Sequence, residues 1–225
     1  APRLPLRQRS LSAMTWAVVA QTQGFPLLRH NVFFSSDYAA EFDDVFRRGR
    51  LPERPTVYVC AQERTDRDVD EPHGAEPLLC LINAPPLGDV RAFDEPEVQL
   101  WEDRTFAHLE RCGLLVHRRR EATAVTTPTD FDRKFPATGG ALYGMASHGW
   151  TASFRRPGVT TRVPGLYLAG GSVHPGPGVP MAALSGRMAA MSLLSNLAST
   201  SPSRLGAMRG GTSTRSATTG ATASH

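Results

Sequence analysis

Long apolar stretches and an export signal are absent from this sequence of 225 residues. No uninterrupted apolar run approaches the roughly 18 residues that a membrane-spanning helix needs, and the mean hydropathy is -0.27. The first residues do not show the charged and then apolar pattern of a secretory leader. These absences predict a globular protein located in the cytoplasm.

Cysteine is scarce, and histidine never occurs at a metal-binding spacing. The three cysteines, Cys60, Cys80 and Cys112, lie far apart and form no CxxC pair. Their odd number and the apolar surroundings of Cys60 and Cys80 favour reduced thiols over disulfides or zinc ligands. The spacings HxH and HxxxH are missing as well. We therefore expect no metal site.

Basic residues exceed acidic ones and give a formal net charge of +4. The arginines occur in groups, for which two interpretations stay open: attraction to anionic lipid headgroups, or ordinary solvated surface. We favour the second, because no basic amphipathic helix accompanies the groups. Nucleic-acid binding is not expected, because aromatic residues are not interleaved with the basic ones. The groups are Arg3, Arg7 and Arg9; Arg47, Arg48 and Arg50; Arg118, Arg119 and Arg120; and Arg155 and Arg156.

Four short β-rich runs, each ending in turn-forming residues, dominate the N-terminal part of the chain. Between the second and the third, Phe42, Val45 and Phe46 have helical spacing and Gly49 provides a stop. The pattern predicts a mostly antiparallel sheet with a helix on one face. The four runs span residues 14–21, 30–38, 56–64 and 77–86.

The chain continues with one amphipathic segment and one polar segment. Residues 95–115 predict a packing helix, and residues 125–136, which are polar and contain prolines, predict a connecting loop. The positions expected to face the core are Val98, Trp101, Phe106, Leu109 and Leu114. Residues 199–225 consist mainly of Ser, Thr, Gly, Ala and Arg and predict a disordered tail.

The most informative segment is GLYLAGGSVHPGPGVPMAALSG, residues 165–186. Its apolar run 166–169 predicts a buried strand, and the glycines and prolines that follow predict a tight turn. A helix is expected to start near Val179, with Pro180 in its first turn, so that unpaired amides face outward. From this pattern alone, the turn is equally consistent with close packing and with contact to a ligand.

Three segments together resemble the FAD-dependent carotenoid desaturases related to bacterial phytoene desaturase. They are the segment just described, ALYGMASHGWTASFRRPG at residues 141–158, and HNVFFSSDYAAEFDDVFRRGRLPERPTVYVCAQER at residues 30–64. Within that family the sequence is most similar to the 1-hydroxycarotenoid 3,4-desaturases, also called methoxyneurosporene dehydrogenases. The resemblance covers most of residues 14–198.

The resemblance implies an α/β (α+β) fold and a C-terminal fragment of a two-domain FAD-dependent oxidoreductase. Such enzymes are expected to begin with a strand, a GxGxxG turn and a helix that hold the FAD pyrophosphate. No GxGxxG occurs here, and the chain starts at Ala1, so the N-terminal Rossmann motif belongs to a missing half of the same enzyme. The expected parts are a substrate-domain portion with a mostly antiparallel sheet (1–135), a C-terminal FAD-binding strand, turn and helix (136–198), and the tail (199–225).

The resemblance also implies a carotenoid substrate, desaturated by removal of two hydrogens from adjacent carbons, and peripheral contact with the inner membrane surface. His174 is either a general base or a turn residue beneath the flavin; we favour the turn residue. Asp37, Asp43 and Asp44 show no paired-carboxylate pattern, so no catalytic acid or base is assigned. The residues expected to contact FAD are Gly170, Gly171, Ser172, Gly176, Gly178, Val179, Pro180 and Met181.

Several alternatives stay open at this point. Aromatic and other large residues within residues 141–158 either line an apolar channel beside the flavin or fill a tight core. The protein as a whole is a 1-hydroxycarotenoid desaturase, a phytoene-type or other carotenoid desaturase, an inactive fragment, or a carotenoid-binding module without turnover. The large residues in question are Tyr143, Met145, His148, Trp150 and Phe154.

Overall fold

A six-stranded antiparallel sheet is the largest element of the computed structural model, which describes residues 3–65, 74–146 and 156–200. The strand order is β2-β3-β4-β1-β5, and β6 also pairs with β1. The first part of β1 pairs with β4, whereas its last four residues pair with β5. The strands are β1 (Ser12–Gly24), β2 (His30–Phe33), β3 (Val57–Ala61), β4 (Glu76–Ala84), β5 (Leu114–His117) and β6 (Thr123–Thr126).

Alternation along the strands explains why one face of the sheet forms the core. In β4, buried and half-buried residues alternate from one end to the other, which is the period of a pleated strand. Helix α2 (Glu95–Arg111) covers the buried face with Trp101, Phe106 and Leu109. The rings of Trp16 and Phe106 meet edge to face, with 6.1 Å between their centroids. The prediction of a mostly antiparallel sheet with a helix on one face is confirmed.

The predicted helix 95–115 is too long. Helix α2 starts after Asp94, whose side chain accepts a hydrogen bond from the amide of Glu97, and it ends at Arg111. Gly113 has a φ of 88°, a conformation that favours glycine and ends a helix. Leu114 is buried as expected, but as the first residue of β5. The apolar residues with helical spacing therefore extend into β5, whose Leu114 is buried in the same hydrophobic core.

The predicted loop 125–136 is wrong. It contains the end of β6 and helix α3 (Pro128–Lys134). Pro128 occupies the start of α3, where the missing N–H has no partner to lose. Thr127 and Asp130 form a reciprocal capping box. The prolines and polar residues that indicated a loop are helix-start signals.

The aromatic segment after β2 forms a short helix of mixed type. Helix α1 (Tyr38–Phe42) passes directly into a π-helical turn, Asp43–Arg47, and the chain leaves at Gly49, whose φ is 61°. Of the three apolar residues with helical spacing, Val45 is buried, whereas Phe46 is 41% exposed. The helix is therefore present, but much of its aromatic surface does not face the core.

Two arginines form ion pairs with buried carboxylates and connect the sheet to neighbouring segments. Arg64 donates to both carboxylate oxygens of Glu76, which is fully buried, with a shortest distance of 2.6 Å from Nη2 to Oε1. Arg9 binds both oxygens of Asp89, at 2.6 and 2.8 Å. For Arg9, the solvated-surface interpretation of the arginine groups is therefore wrong.

Acid is expected to weaken the Arg9–Asp89 contribution to stability. Hydrogen bonds from Arg9 hold the pKa of Asp89 below its ordinary value, although burial opposes this. A lowered folded-state pKa stabilises the protein above the unfolded pKa, and this stabilisation disappears as pH falls through the folded pKa. The free-energy difference between the parent and Asp89→Asn should therefore shrink below about pH 4.

Urea unfolding of both proteins at several pH values measures this difference. Asp103→Asn is the control, because Asp103 is 61% exposed in its pair with Arg118. A parent-to-variant difference for Asp89→Asn that stays constant down to pH 2 would contradict the expectation.

The last helix, α4 (Val179–Thr200), follows a stretch of turns. Among the described residues, no helix combines the length and apolar character required to cross a bilayer. The predicted tail 199–225 lies outside the described residues, except for its first two residues, which belong to α4.

Candidate functional site

A glycine- and proline-rich loop leads from Tyr167 to helix α4. Tyr167 forms an isolated antiparallel bridge with Thr160, and the amide of Val173 donates to Gly170 O at 3.1 Å. The loop is anchored by a small apolar cluster. This cluster contains Val159, Val173 and Ala189, with Tyr167, Leu168 and Met188 packed against it.

The buried strand predicted at 166–169 is not formed. Leu166 is 49% exposed, and within the described residues the strand-type partner of this run is Thr160 alone. A strand covered on both faces needs neighbouring strands and helices, which the described part of the chain does not bring to it. Leu166 and Ala169 are therefore exposed, while Tyr167 and Leu168 are half-buried against the small apolar cluster.

The glycines of the loop serve two different purposes. Gly170 and Gly178 have φ values of 121° and 109°, and a Cβ built on either would meet no described atom within 4 Å. Gly176 is buried instead, and a Cβ there would lie 3.4 Å from Nε of Arg156. Gly170 and Gly178 leave open space beside the loop, whereas Gly176 permits close packing against Arg156.

The hydrogen-bonding groups of Gly170 are already used inside the protein. Its amide donates to Oγ of the fully buried Ser185 at 2.8 Å, and its carbonyl accepts from the amide of Val173. Ser185 in turn donates to Ala182 O at 2.7 Å. Gly170 can therefore offer a ligand space and van der Waals contact, but no unused amide.

Helix α4 begins on the open side of the loop. The first amides of a helix have no acceptor within it, and the helix dipole adds partial positive charge there. Val179 is 85% exposed and Met181 is 42% exposed, while Pro180 stands where its missing N–H costs little. This end of α4 can receive an anionic or electron-rich group.

Arg156 joins the loop to residues 143–145, and the sequence pattern did not reveal this role. The side chain is buried. It donates to Tyr143 O at 3.0 Å and to Gly171 O at 3.2 Å through Nη1, and to Met145 O at 3.4 Å through Nη2. Its grouping with Arg155 indicated solvated surface, and for Arg156 that interpretation is wrong.

An open cleft of about 480 Å³ lies beside this arginine. Residues far apart in sequence line it, and most of them are apolar. Tyr143 and Met145, both proposed from the sequence as channel residues, contribute to it, and Pro177 brings the glycine-rich loop to its wall. The lining residues are Ser10, Leu11, Phe42, Phe46, Tyr143, Met145, Ala146, Arg156 and Pro177.

The other predicted site residues occupy distinct positions. Ser172 is exposed. Its Oγ lies 2.6 Å from the position that a Cβ on Gly144 would occupy. His174 is half-buried, and its amide donates to Pro157 O at 2.9 Å. His148, Trp150 and Phe154 lie outside the described residues.

The three aspartates near the aromatic helix have structural partners. Asp37 caps α1, and Asp43 pairs with Arg47. Burial opposes ionisation of Asp44, but hydrogen bonds from Arg50 and Arg48 prevail and lower the pKa of this carboxyl. Nowhere in residues 3–65, 74–146 and 156–200 do three His, Cys, Asp or Glu side chains converge as metal ligands would.

Comparison with known proteins gives strong similarity over nearly the whole chain. It is 60% identical over 213 residues, 95% of its length, to the hydroxyneurosporene desaturase of Rubrivivax gelatinosus. The chain belongs to the carotenoid desaturase family. This carotenoid desaturase chain is also 42% identical over 89% of its length to the hydroxyneurosporene desaturase of Cereibacter sphaeroides. To a Flavobacterium 1-hydroxycarotenoid 3,4-desaturase it is 35% identical over 84% of its length.

The carotenoid desaturase chain spans only about 40% of the length of the curated relatives that it matches, with values of 40%, 39% and 39% for these three. No protein-family model matches it. The predicted family and the predicted part-length character are both confirmed.

Proposed function

We propose that this chain is the C-terminal part of an FAD-dependent carotenoid desaturase that introduces the 3,4 double bond into a 1-hydroxycarotenoid. The observation that carries the proposal is the 60% identity over 95% of the chain to a hydroxyneurosporene desaturase. Residues 1–135 then belong to the substrate domain, and residues 136–198 close the flavin site.

The geometry of the glycine-rich loop supports a flavin site. The open space above Gly170 and Gly178 suits a flat ring system lying against backbone, and the free amides at Val179 and Met181 suit its electron-rich edge. Gly171, Ser172 and Pro180 are further proposed contacts with FAD, whereas the buried Gly176 packs against Arg156 and shapes the loop. The chain contains no GxGxxG, and in this proposal the pyrophosphate is held by the part of the enzyme that corresponds to the relatives' remaining length.

The exposed apolar side chains of α4 support a larger enzyme. Six of them are at least 40% exposed, which is unusual for a helix that faces only water. We propose that the remaining part of the enzyme packs against them. These side chains are Met181, Leu184, Met191, Leu193, Leu194 and Leu197.

In the proposed reaction, the residues of this chain bind and orient the flavin and the polyene. FAD, when bound, would supply a two-electron acceptor for the hydride from one carbon of the bond to be desaturated, while the adjacent carbon loses a proton. The amides at the start of α4 stabilise negative charge beside the loop by about 0.3–2 kcal/mol, which adjusts the site and does not account for the whole rate. Arg156 holds the loop against the Tyr143–Met145 segment through its hydrogen bonds. The mostly apolar lining of the cleft suits contact with a polyene chain.

The test uses the complete enzyme, purified and mixed with a 1-hydroxycarotenoid in vesicles. We expect a flavin absorption band, and a red-shifted carotenoid spectrum because conjugation gains one double bond. The same carotenoid without the hydroxyl group is the control and should react more slowly. A flavin-loaded enzyme that converts only unhydroxylated carotenoids would favour a phytoene-type desaturase, and bound carotenoid without flavin or turnover would favour a carrier.

Replacement of His174 should leave most of the activity. The amide of His174, not its ring, makes the contact that holds the turn, so His174→Ala in the complete enzyme should keep turnover within several-fold of the parent. The pH profile of kcat should also keep its shape. A loss of about 100-fold or more, the range typical of a missing general acid or base, would assign His174 a catalytic role.

A further inference from the structure

Four aromatic rings form a continuous row on the protein surface. The row starts at Phe34, directly after β2. Phe34, Tyr38, Phe42 and Phe46 succeed one another with centroid distances of 5.8, 4.9 and 6.0 Å. We call this row the aromatic ladder. Tyr38, Phe42 and Phe46 are four residues apart in α1 and its π-helical turn, a spacing that keeps side chains on one face of a helix, and Phe34 precedes this helix.

The aromatic ladder is not part of the hydrophobic core. Phe34 is 63% exposed, Tyr38 is 48% exposed and Phe46 is 41% exposed. The buried residues of the helix and its π-helical turn are Glu41, Asp44 and Val45, none of which belongs to the ladder. Contiguous exposed aromatic surface of this kind indicates a binding surface.

The aromatic ladder runs into the cleft beside the glycine-rich loop. Its last two rings, Phe42 and Phe46, line that cleft together with Tyr143 and Met145. The first two rings, Phe34 and Tyr38, do not line it and lie outside on the same row. The surface is thus continuous from solvent to the proposed substrate site.

Charge does not favour an anionic bilayer as the direct partner of this surface. Residues 37–54 carry five acidic side chains against four arginines. Glu41 and Asp44 are buried, and Asp43 and Asp44 pair with three of the arginines. Arginines that are already paired gain little from anionic headgroups. The acidic residues are Asp37, Glu41, Asp43, Asp44 and Glu53, and the arginines are Arg47, Arg48, Arg50 and Arg54.

We propose that the aromatic ladder is the path by which the carotenoid enters the cleft, with Phe34 and Tyr38 as its outer positions. The inference rests on the proposed function, because it takes a polyene as the substrate. An apolar chain needs no directional hydrogen bonds, and burial against successive rings removes apolar surface from water at each step. The ladder therefore lowers the barrier to transfer from lipid to protein.

The test is the double variant Phe34→Ser/Tyr38→Ser of the complete enzyme, with Phe135→Ser as a matched control. Phe135 is 66% exposed and is not part of the ladder. The rate of carotenoid transfer from phosphatidylcholine vesicles to the protein is measured by absorption, without need of turnover. We expect about a tenfold lower rate in the double variant, the loss typical of an aromatic contact, and the parent rate in the control. The rise in KM should exceed any change in kcat.

Three results would overturn the inference. The first is an unchanged transfer rate in the double variant. The second is loss of vesicle binding by the double variant, which would make the ladder a membrane anchor. The third is a melting temperature clearly below that of Phe135→Ser, which would mean that the remaining part of the enzyme buries the ladder. Absence of desaturation in the parent, with normal transfer, would refute the proposed function and leave the ladder in place.

Discussion

Arg64→Met is expected to lower the free energy of unfolding by about 3–5 kcal/mol, the range for removing one partner of a buried ion pair. Glu76 is fully buried, and Arg64 supplies donors to both of its oxygens. Methionine preserves much of the side-chain volume but leaves the carboxylate without this cation. Arg64 also donates to Leu27 O at 3.0 Å and to Oγ1 of Thr22 at 3.1 Å, so the variant loses contacts to β1 and to the turn after it.

Urea unfolding followed by tryptophan fluorescence measures the effect. Arg120→Met is the matched control, because the side chains of Arg120 and Glu95 are 85% and 75% exposed and an exposed pair contributes only about 0–1 kcal/mol. The double variant Arg64→Met/Glu76→Leu should recover part of the loss, since no buried charge remains without a partner. Equal destabilisation by Arg64→Met and Arg120→Met would show that the buried pair has no special weight.

The second large effect is expected for Arg156→Met in the complete enzyme, as about a 10- to 100-fold higher Kd for FAD. This range follows from losing charge-assisted hydrogen bonds, each of which contributes about 1.5–3 kcal/mol. Arg156 holds Gly171 O and Tyr143 O at the same guanidinium nitrogen, so its removal frees the glycine-rich loop from the neighbouring segment. The loss should appear in flavin retention before it appears in overall stability.

Flavin binding is measured by titrating the apo form of the complete enzyme with FAD. Arg162→Met is the control, because Arg162 is exposed and only six residues away. Arg156→Lys should be intermediate, since a lysine carries the charge but cannot reproduce the forked geometry. An unchanged Kd in Arg156→Met would separate this arginine from the cofactor site.

Local signals in the sequence were sufficient for much of the fold. The four β-rich runs that end in turn-forming residues, and the stop at Gly49, predicted elements that the structure contains. The errors arose where one signal supports two structures. Pro128 and Thr127 indicate either a loop or a helix start, and Leu114 continues a helical period while belonging to a strand.

The candidate site was predictable only in part. The turn and the start of α4 near Val179 were readable, because glycine, proline and helix-start preferences act over a few residues. The engagement of the Gly170 amide by Ser185 was not readable, since the two residues are 15 positions apart. The expected strand at 166–169 depended on neighbours that the described chain does not supply.

The sequence by itself determined the family, the antiparallel sheet and the position of the glycine-rich loop, because each follows from residue order or from interactions within a few residues. Tertiary structure alone decided that Arg156 is buried between two segments and that Phe34 and Tyr38 face solvent. Burial and pairing are set by what packs against a side chain in space. The identity of an arginine or a phenylalanine in the sequence is the same whether its side chain is buried or exposed.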